Sequence, residues 1–175
     1  MARPGIKGGI YQTNGLEHDE KGSPGSGFLL HEKMNAKRYR KLRPIRDAYT
    51  FHRRYGPQDA DIGILCWGSS KGDVREAVQR ANARGQKVAA FVPQMIYPFP
   101  KKELEAFLKS VKHILVVELS YAAQFYKYLR TFVDLPAERT HVYKRSGGKH
   151  LTVAEVDAEI VALLAAERVS EKVSA

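Results

Sequence analysis

From Asp61 onward the chain alternates short apolar runs with helical patterns, and that regularity leaves few folds open. The runs "DIGILCWG", "KVAAFVP", "HILVVEL" and "THVYKR" have the length and β-branched content of strands. Between them lie segments with apolar residues at helical spacing. In "DVREAVQRANARG", Val74, Ala77, Val78 and Ala81 share one face, and Gly85 supplies the stop. The next helix starts beside Pro100, whose missing N–H costs nothing in a first turn, and buries Leu104, Phe107, Leu108 and Val111. "AAQFYKYLRTFV" reads as a helix burying Phe125, Leu129 and Phe132. The last helix opens on a capping box, Thr152 with Glu155, and turns Val156, Ile160 and Leu163 inward. Strands this apolar are covered on both sides. The expected fold is therefore α/β: a three-layer sandwich with a mainly parallel sheet over residues 58–168, followed by a tail at 169–175.

Residues 1–57 read differently. "GIKGG", "NG" and "GSPGSG" mark an irregular lead-in with one short strand at Gly9–Thr13. One helix follows over residues 31–42, stopped near Pro44, and then a polar, aromatic connection to Gly56 and Pro57. A lead-in this long has no core of its own and looks like part of a larger body.

The formal net charge is +10. Between Lys37 and Arg54 eight cations (Lys37, Arg38, Arg40, Lys41, Arg43, Arg46, Arg53, Arg54) stand against the single acid Asp47, with Tyr39, Tyr49 and Phe51 interleaved. Such a stretch suits RNA phosphates and bases, or simply a solvated face. The chain shows no apolar stretch near the roughly 18 residues of a membrane span and no secretory h-region, so the expectation is a cytoplasmic protein. A single cysteine, Cys66, excludes an internal disulfide and a cysteine-based zinc site, and it reads as a small buried hydrophobe.

"WGSSKGDVREAV" lies between a strand and a helix, where open α/β sheets bind ligands. The P-loop and dinucleotide spacings both fail, and Asp73 is expected to cap the helix. "GLEHDEKGSP" sets Glu17, His18, Asp19, Glu20 and Lys21 in one unbroken run. Metal binding and acid–base work are open to such a run. The leading expectation is that Glu17, His18 and Asp19 hydrogen-bond neighbouring backbone and lock a joint between domains.

The order of segments resembles the C-terminal domain of transketolase-like, thiamine-diphosphate enzymes. The likeness rests on Trp67-Gly68-Ser69, Gly85 with Val88, Tyr97-Pro98-Phe99-Pro100 and Val116-Val117-Glu118. The lead-in narrows it: "PGIKGGIYQTNGLEHDEKGSP", then a His, a Met and "RYRKL", resembles the α subunit of 2-oxoacid:ferredoxin oxidoreductases of the 2-oxoglutarate type. Where that family has a Glu-Asn-x-Tyr-x-Gly-Gln run, this chain has Glu118-Leu119-Ser120-Tyr121-Ala122-Ala123-Gln124, so the asparagine and the glycine are gone.

The resemblance implies a scaffold and assembly domain, not catalytic by itself, within an enzyme that oxidatively decarboxylates a 2-oxoacid to an acyl-CoA. It implies thiamine diphosphate, magnesium and iron–sulfur clusters in the whole complex and no cofactor in this chain. The implied partners are a thiamine-binding β subunit and the remaining α-subunit domain. Ferredoxin is reached through the complex, and acidic ferredoxins suit the positive charge. Membranes are not implied, and nucleic acid is the lesser reading. Arg3, Thr13, Glu17 and His18 are the substrate-side candidates; Trp67, Glu118, Tyr121 and Gln124 are the interface candidates, with a helix-capping role equally open to Glu118. The reading from another class is a free-standing basic α/β interaction or RNA-binding module.

Overall fold

The computed structural model describes residue 3, residues 5–49 and residues 51–173. The chain divides into two compact units, residues 1–49 and 50–175.

The first unit carries helices α1 (Phe28–Arg40) and α2 (Arg43–Ala48). The strand expected at Gly9–Thr13 does not form: the backbone there pairs with no other strand, and Ile10 is 99% exposed. Two helices stand where one was expected. Pro44 lies in the first turn of α2, so it opens a helix as well as barring the previous one. Among the described residues of this unit no apolar side chain is buried.

The second unit holds a five-stranded sheet: β1 (His52–Tyr55), β2 (Ala60–Leu65), β3 (Val88–Pro93), β4 (Val111–Glu118) and β5 (Thr140–Lys144), in the order β1-β3-β2-β4-β5. The four strands expected from the apolar runs are parallel to one another. β1 is an addition, antiparallel to β3 with His52 opposite Pro93 and Tyr55 opposite Ala90. Its sequence, "HRRY", is polar, yet two of its side chains reach aromatic partners. The His52 ring stacks on Phe91 at 4.9 Å. The Arg54 guanidinium lies 4.8 Å from the centre of the Phe107 ring and donates to the carbonyls of Pro57 and Gln58.

Helices α3 (Lys71–Ala83) and α6 (Val153–Val173) cover one face; α4 (Lys101–Lys109) and α5 (Gln124–Leu129) cover the other. The strands serve both faces by strict alternation. Ile62, Ile64, Val88, Ala90, Val92, Leu115 and Val117 meet α3 and α6. Leu65, Ala89, Phe91, Ile114 and Val116 meet α4 and α5. Thus the three-layer sandwich with a mainly parallel sheet is the observed fold. At Gly63 the layers approach closely: a Cβ there would lie 2.7 Å from Val111 Cγ2 and 2.9 Å from Phe107 Cε1.

Three local expectations change. α3 begins at Lys71, behind a 3-10 turn at Gly68–Ser70, so Asp73 sits in the first turn and makes no side-chain cap bond. It acts on the helix only through its charge near the positive end. α5 has six residues, and Phe132 lies in the turns that follow, half-buried and stacked on Phe99 at 4.7 Å. α6 continues to Val173 through most of the expected tail; residues 174 and 175 lie outside the described residues. Its capping box forms as the sequence requires, with Thr152 N–H donating to Glu155 at 2.8 Å and Glu155 N–H to Thr152 Oγ1 at 3.3 Å.

Candidate functional site

The strand order reverses direction between β2 and β4: β3 lies to one side of β2, and the chain then crosses to the other. The loop after β2 feeds α3 on one face, and the loop after β4 feeds α5 on the opposite face. Open α/β sheets present a crevice at such a switch point, beyond the carboxyl ends of the strands. At that position the chain turns one of its own carboxylates inward. Glu118, the last residue of β4, is 2% exposed. Its carboxylate accepts the backbone N–H groups of Phe125 and Tyr126, each at 2.9 Å, and the hydroxyl of Ser120. Ser120 Oγ in turn accepts the N–H of Gln124 at 2.9 Å. The free amides that open α5 are thereby satisfied by a residue from the preceding strand.

Of the two roles open to Glu118, the structure shows the cap: its carboxylate is turned inward to serve α5. The other interface candidates are outside. Trp67 is 46% exposed and stacks on Phe125 with ring centres 6.0 Å apart. Tyr121 is 84% exposed, and Gln124 is exposed beside it in sequence. Ala123 stands where the resembled run has glycine, and it adopts φ +53°, the left-handed conformation that favours glycine. Neighbouring β5 adds positive charge: Lys144 Nζ donates to the Tyr121 carbonyl at 3.1 Å. Arg145 Nε pairs with Glu155 at 2.8 Å. The Thr152 hydroxyl and then Arg145 hold the Glu155 carboxyl down at about 2.

The "GLEHDEK" run forms a clip on α1. Glu17 binds Arg38 Nη1 and His31 Nδ1, both at 2.7 Å, and Arg38 foremost holds its carboxyl below the usual range. Glu17 thus pairs with side chains 14 and 21 residues on, whereas backbone partners were expected. His18 and Asp19 do meet backbone. His18 Nδ1 donates to the Leu16 carbonyl at 3.0 Å, and Asp19 Oδ1 accepts from Lys21 and Ser23 N–H at 2.8 and 3.0 Å. Asn14 closes the loop through Leu16 N–H and the Gly22 carbonyl. Arg3 and Thr13 are exposed on the same unit. The carboxylates of the run are engaged in turn and clip contacts, so the arrangement is built to hold a loop.

Among the described residues no group of three or more His, Cys, Asp and Glu could hold a metal ion. Cys66 is wholly buried, and burial pushes its thiol up to about 12. One buried thiol does not fit an iron–sulfur cluster, which takes several thiolates. Sequence reasoning missed Ser120, the strain at Ala123 and the Glu155–Arg145 pair. Only the serine, two residues past a strand end and four before Gln124, left a legible trace, as a capping residue type.

These features define a class: an α/β sheet domain with a buried, helix-capping carboxylate at its switch point, preceded by an ion-paired loop and helix. Residues 60–156 match the family model of the pyruvate:ferredoxin oxidoreductase core domain II. The chain belongs to that family. It is 30% identical over 153 residues to the 2-oxoacid:ferredoxin oxidoreductase subunit alpha of Saccharolobus solfataricus, a match covering 86% of this chain and 24% of that protein. It is 31% identical over 119 residues to the 2-oxoglutarate synthase subunit KorA of Methanothermobacter marburgensis, covering 67% of this chain and 32% of that one. Among solved structures it is similar to the 2-oxoglutarate:ferredoxin oxidoreductase of Magnetococcus marinus, determined with 2-oxoglutarate, coenzyme A and succinyl-CoA bound. The TM-score is 0.77 and the identity 32%, over 93% of this chain and 28% of that one. The chain is thus a domain of the 2-oxoacid:ferredoxin oxidoreductase α-subunit type, spanning about a quarter of the length of the first of these relatives. Among the described residues no helix is long and apolar enough to cross a membrane.

Proposed function

We propose that this chain is the scaffold and assembly domain of a thiamine-diphosphate-dependent 2-oxoglutarate:ferredoxin oxidoreductase. The observation that carries this is the likeness, at 32% identity over 93% of the chain, to the Magnetococcus marinus enzyme. In the whole enzyme thiamine diphosphate, held with magnesium, would supply decarboxylation chemistry, iron–sulfur clusters would take the electrons, and coenzyme A would receive the acyl group. One buried thiol does not fit an iron–sulfur cluster, and in this reading the chain's own work is structural, without substrate turnover by the chain alone. It docks on a thiamine-binding β subunit and on the remaining α-type domain, and ferredoxin is met through the complex, in the cytoplasm. Trp67, Tyr121 and Gln124 offer a docking edge at the sheet's carboxyl end. Glu17 and His18 fix the loop that follows Arg3 and Thr13, and those two exposed side chains face the 2-oxoacid.

The test is purification of the tagged chain from its host. The expected outcome is a co-purifying partner with thiamine diphosphate and iron, and 2-oxoglutarate-dependent ferredoxin reduction by the complex but not by the separated chain. Purified chain that decarboxylates a 2-oxoacid unaided would overturn this reading. So would a chain that associates only with RNA, its affinity falling steeply with salt.

A further inference from the structure

Three asparagines stand in the chain, and of these Asn14 is followed by glycine. Asn35 lies within α1 and Asn82 within α3, each followed by alanine. The difference is chemical. An asparagine carboxamide carbon is one ring closure away from the next backbone nitrogen. Glycine puts no Cβ in the path of that attack, whereas a helix commits the next N–H to its own ladder.

At Asn14 the reacting groups are side by side but restrained. Gly15 is exposed, and a Cβ built on it would meet nothing within 4 Å. Among the described residues its N–H makes no hydrogen bond. Asn14 is half-buried, and its carboxamide is gripped from both ends. Oδ1 accepts the Leu16 N–H at 2.8 Å, and Nδ2 donates to the Gly22 carbonyl at 3.0 Å. Gly22 is buried, and a Cβ on it would lie 2.7 Å from the Gln12 carbonyl oxygen. The two limbs of the loop therefore touch where Asn14 bridges them.

We propose that Asn14–Gly15 is a deamidation site gated by its own loop: shut while the carboxamide bridges Leu16 and Gly22, and leaving the loop permanently open once it has reacted. The step needs no partner but water. The Gly15 nitrogen bonds to Asn14 Cγ and gives its proton to solvent, and the side-chain nitrogen departs as ammonia. The cyclic imide then takes up one water and opens at either carbonyl, to aspartate or to isoaspartate. Departure requires Nδ2 free of Gly22, and closure requires Cγ turned from Leu16 toward Gly15, so both bonds break first. The rate then follows the population of the opened loop. Two hydrogen bonds of ordinary strength make that population about one in thirty.

The product cannot rebuild the bridge. An aspartate at this position still accepts from Leu16, but it has no proton for Gly22 and sets a carboxylate against a carbonyl oxygen. Glu17, Asp19 and Glu20 follow in the same loop, so the new charge also meets like charges. Isoaspartate lengthens the backbone by a carbon between limbs that already touch. The inference stands independently of the family role and concerns the loop that carries Thr13.

The test incubates the full chain at pH 8 beside a synthetic peptide of residues 11–20 and follows residue 14 by peptide mass mapping and isoaspartate detection. Reaction at Asn14 is expected about thirtyfold slower than in the peptide, with Asn35 and Asn82 unchanged, and at the peptide's rate in urea. Gly15→Val, for which there is room, should stop it. Asn14→Asp should speed hydrogen exchange across residues 14–25 about tenfold, with Trp67-monitored unfolding of the sheet unit unchanged. A rate in the folded chain equal to the peptide's, or a slowing that persists in urea, overturns the gate. No product after about a hundred peptide half-lives overturns the site. Exchange in Asn14→Asp matching that of the unaltered chain overturns the switch.

Discussion

The carboxylate that ends β4 gives the sharpest physical test of the switch-point description. Glu118→Ala would strip the acceptor from two amides, those of Phe125 and Tyr126, each now bonded at 2.9 Å, and from the Ser120 hydroxyl. Hydrogen bonds to a charged group contribute about 1.5–3 kcal/mol, and a buried donor left without a partner costs a similar amount. Taking the lower figure for each amide gives a loss of about 3 kcal/mol. In a unit of this size that corresponds to a fall in Tm of about 10 °C. Glu118→Gln keeps one acceptor oxygen but turns an amide NH2 toward the second donor, so about half the loss is expected. The assay is built in: Trp67 is the single tryptophan and stacks on Phe125, the first of the amides concerned. Urea unfolding followed by its emission should show the lower midpoint and, in the native state, a shifted spectrum as α5 loosens. A loss below about 1 kcal/mol with unchanged native emission would show that the carboxylate does not hold the start of α5, and the account of Glu118 as its cap would fail.

Four further outcomes follow from the same structure. Ala123→Gly removes a left-handed penalty of about 1 kcal/mol and adds unfolded-state entropy worth about half of it, so urea unfolding should show a gain of about 0.5 kcal/mol, and a loss would contradict the strain at φ +53°. Gly63→Ala forces a Cβ against Val111 and Phe107 and should cost about 2 kcal/mol in the same assay. Because Thr152 and Arg145 hold the folded Glu155 carboxyl at about 2, below its ordinary 4.5, its contribution is complete above pH 4.5 and fades as pH falls toward 2. Amides at the start of α6 should lose protection across that window beyond the intrinsic change in exchange rate, and Glu155→Gln should abolish the pH dependence. The Cys66 thiol, pushed up to about 12, should ignore a thiol reagent at pH 8 in the native protein and react once in urea.

The sheet domain was legible because its strands are nearly unbroken apolar runs and its helices show clean 3.6-residue stripes. That pattern encodes burial on two faces, which only an α/β sandwich supplies. β1 escaped because its burial comes from His52 stacking on Phe91 and Arg54 lying over Phe107, and no hydropathy pattern records a cation seated on a ring. The expected strand at Gly9–Thr13 shows the opposite failure: β-prone residues need a partner strand, and none is beside them. At the candidate site, Trp67 and Tyr121 drew notice as aromatics just past strand ends, and both are exposed. Glu118 was named but left between two roles, since the choice depends on where the amides of Phe125 and Tyr126 point in three dimensions. The Glu17 pairs with His31 and Arg38 were invisible because nothing local links residues so far apart in sequence.

Both outer strands of the sheet are short and positively charged. β1 has four residues and carries Arg53 and Arg54; β5 has five and ends on Lys144. A second copy adding itself edge to edge would bring like charges together along the new seam and gain few backbone bonds for doing so. Such borders disfavour ribbon-like aggregation at high concentration. They also leave helices and loops as the surfaces through which stoichiometric assembly can proceed.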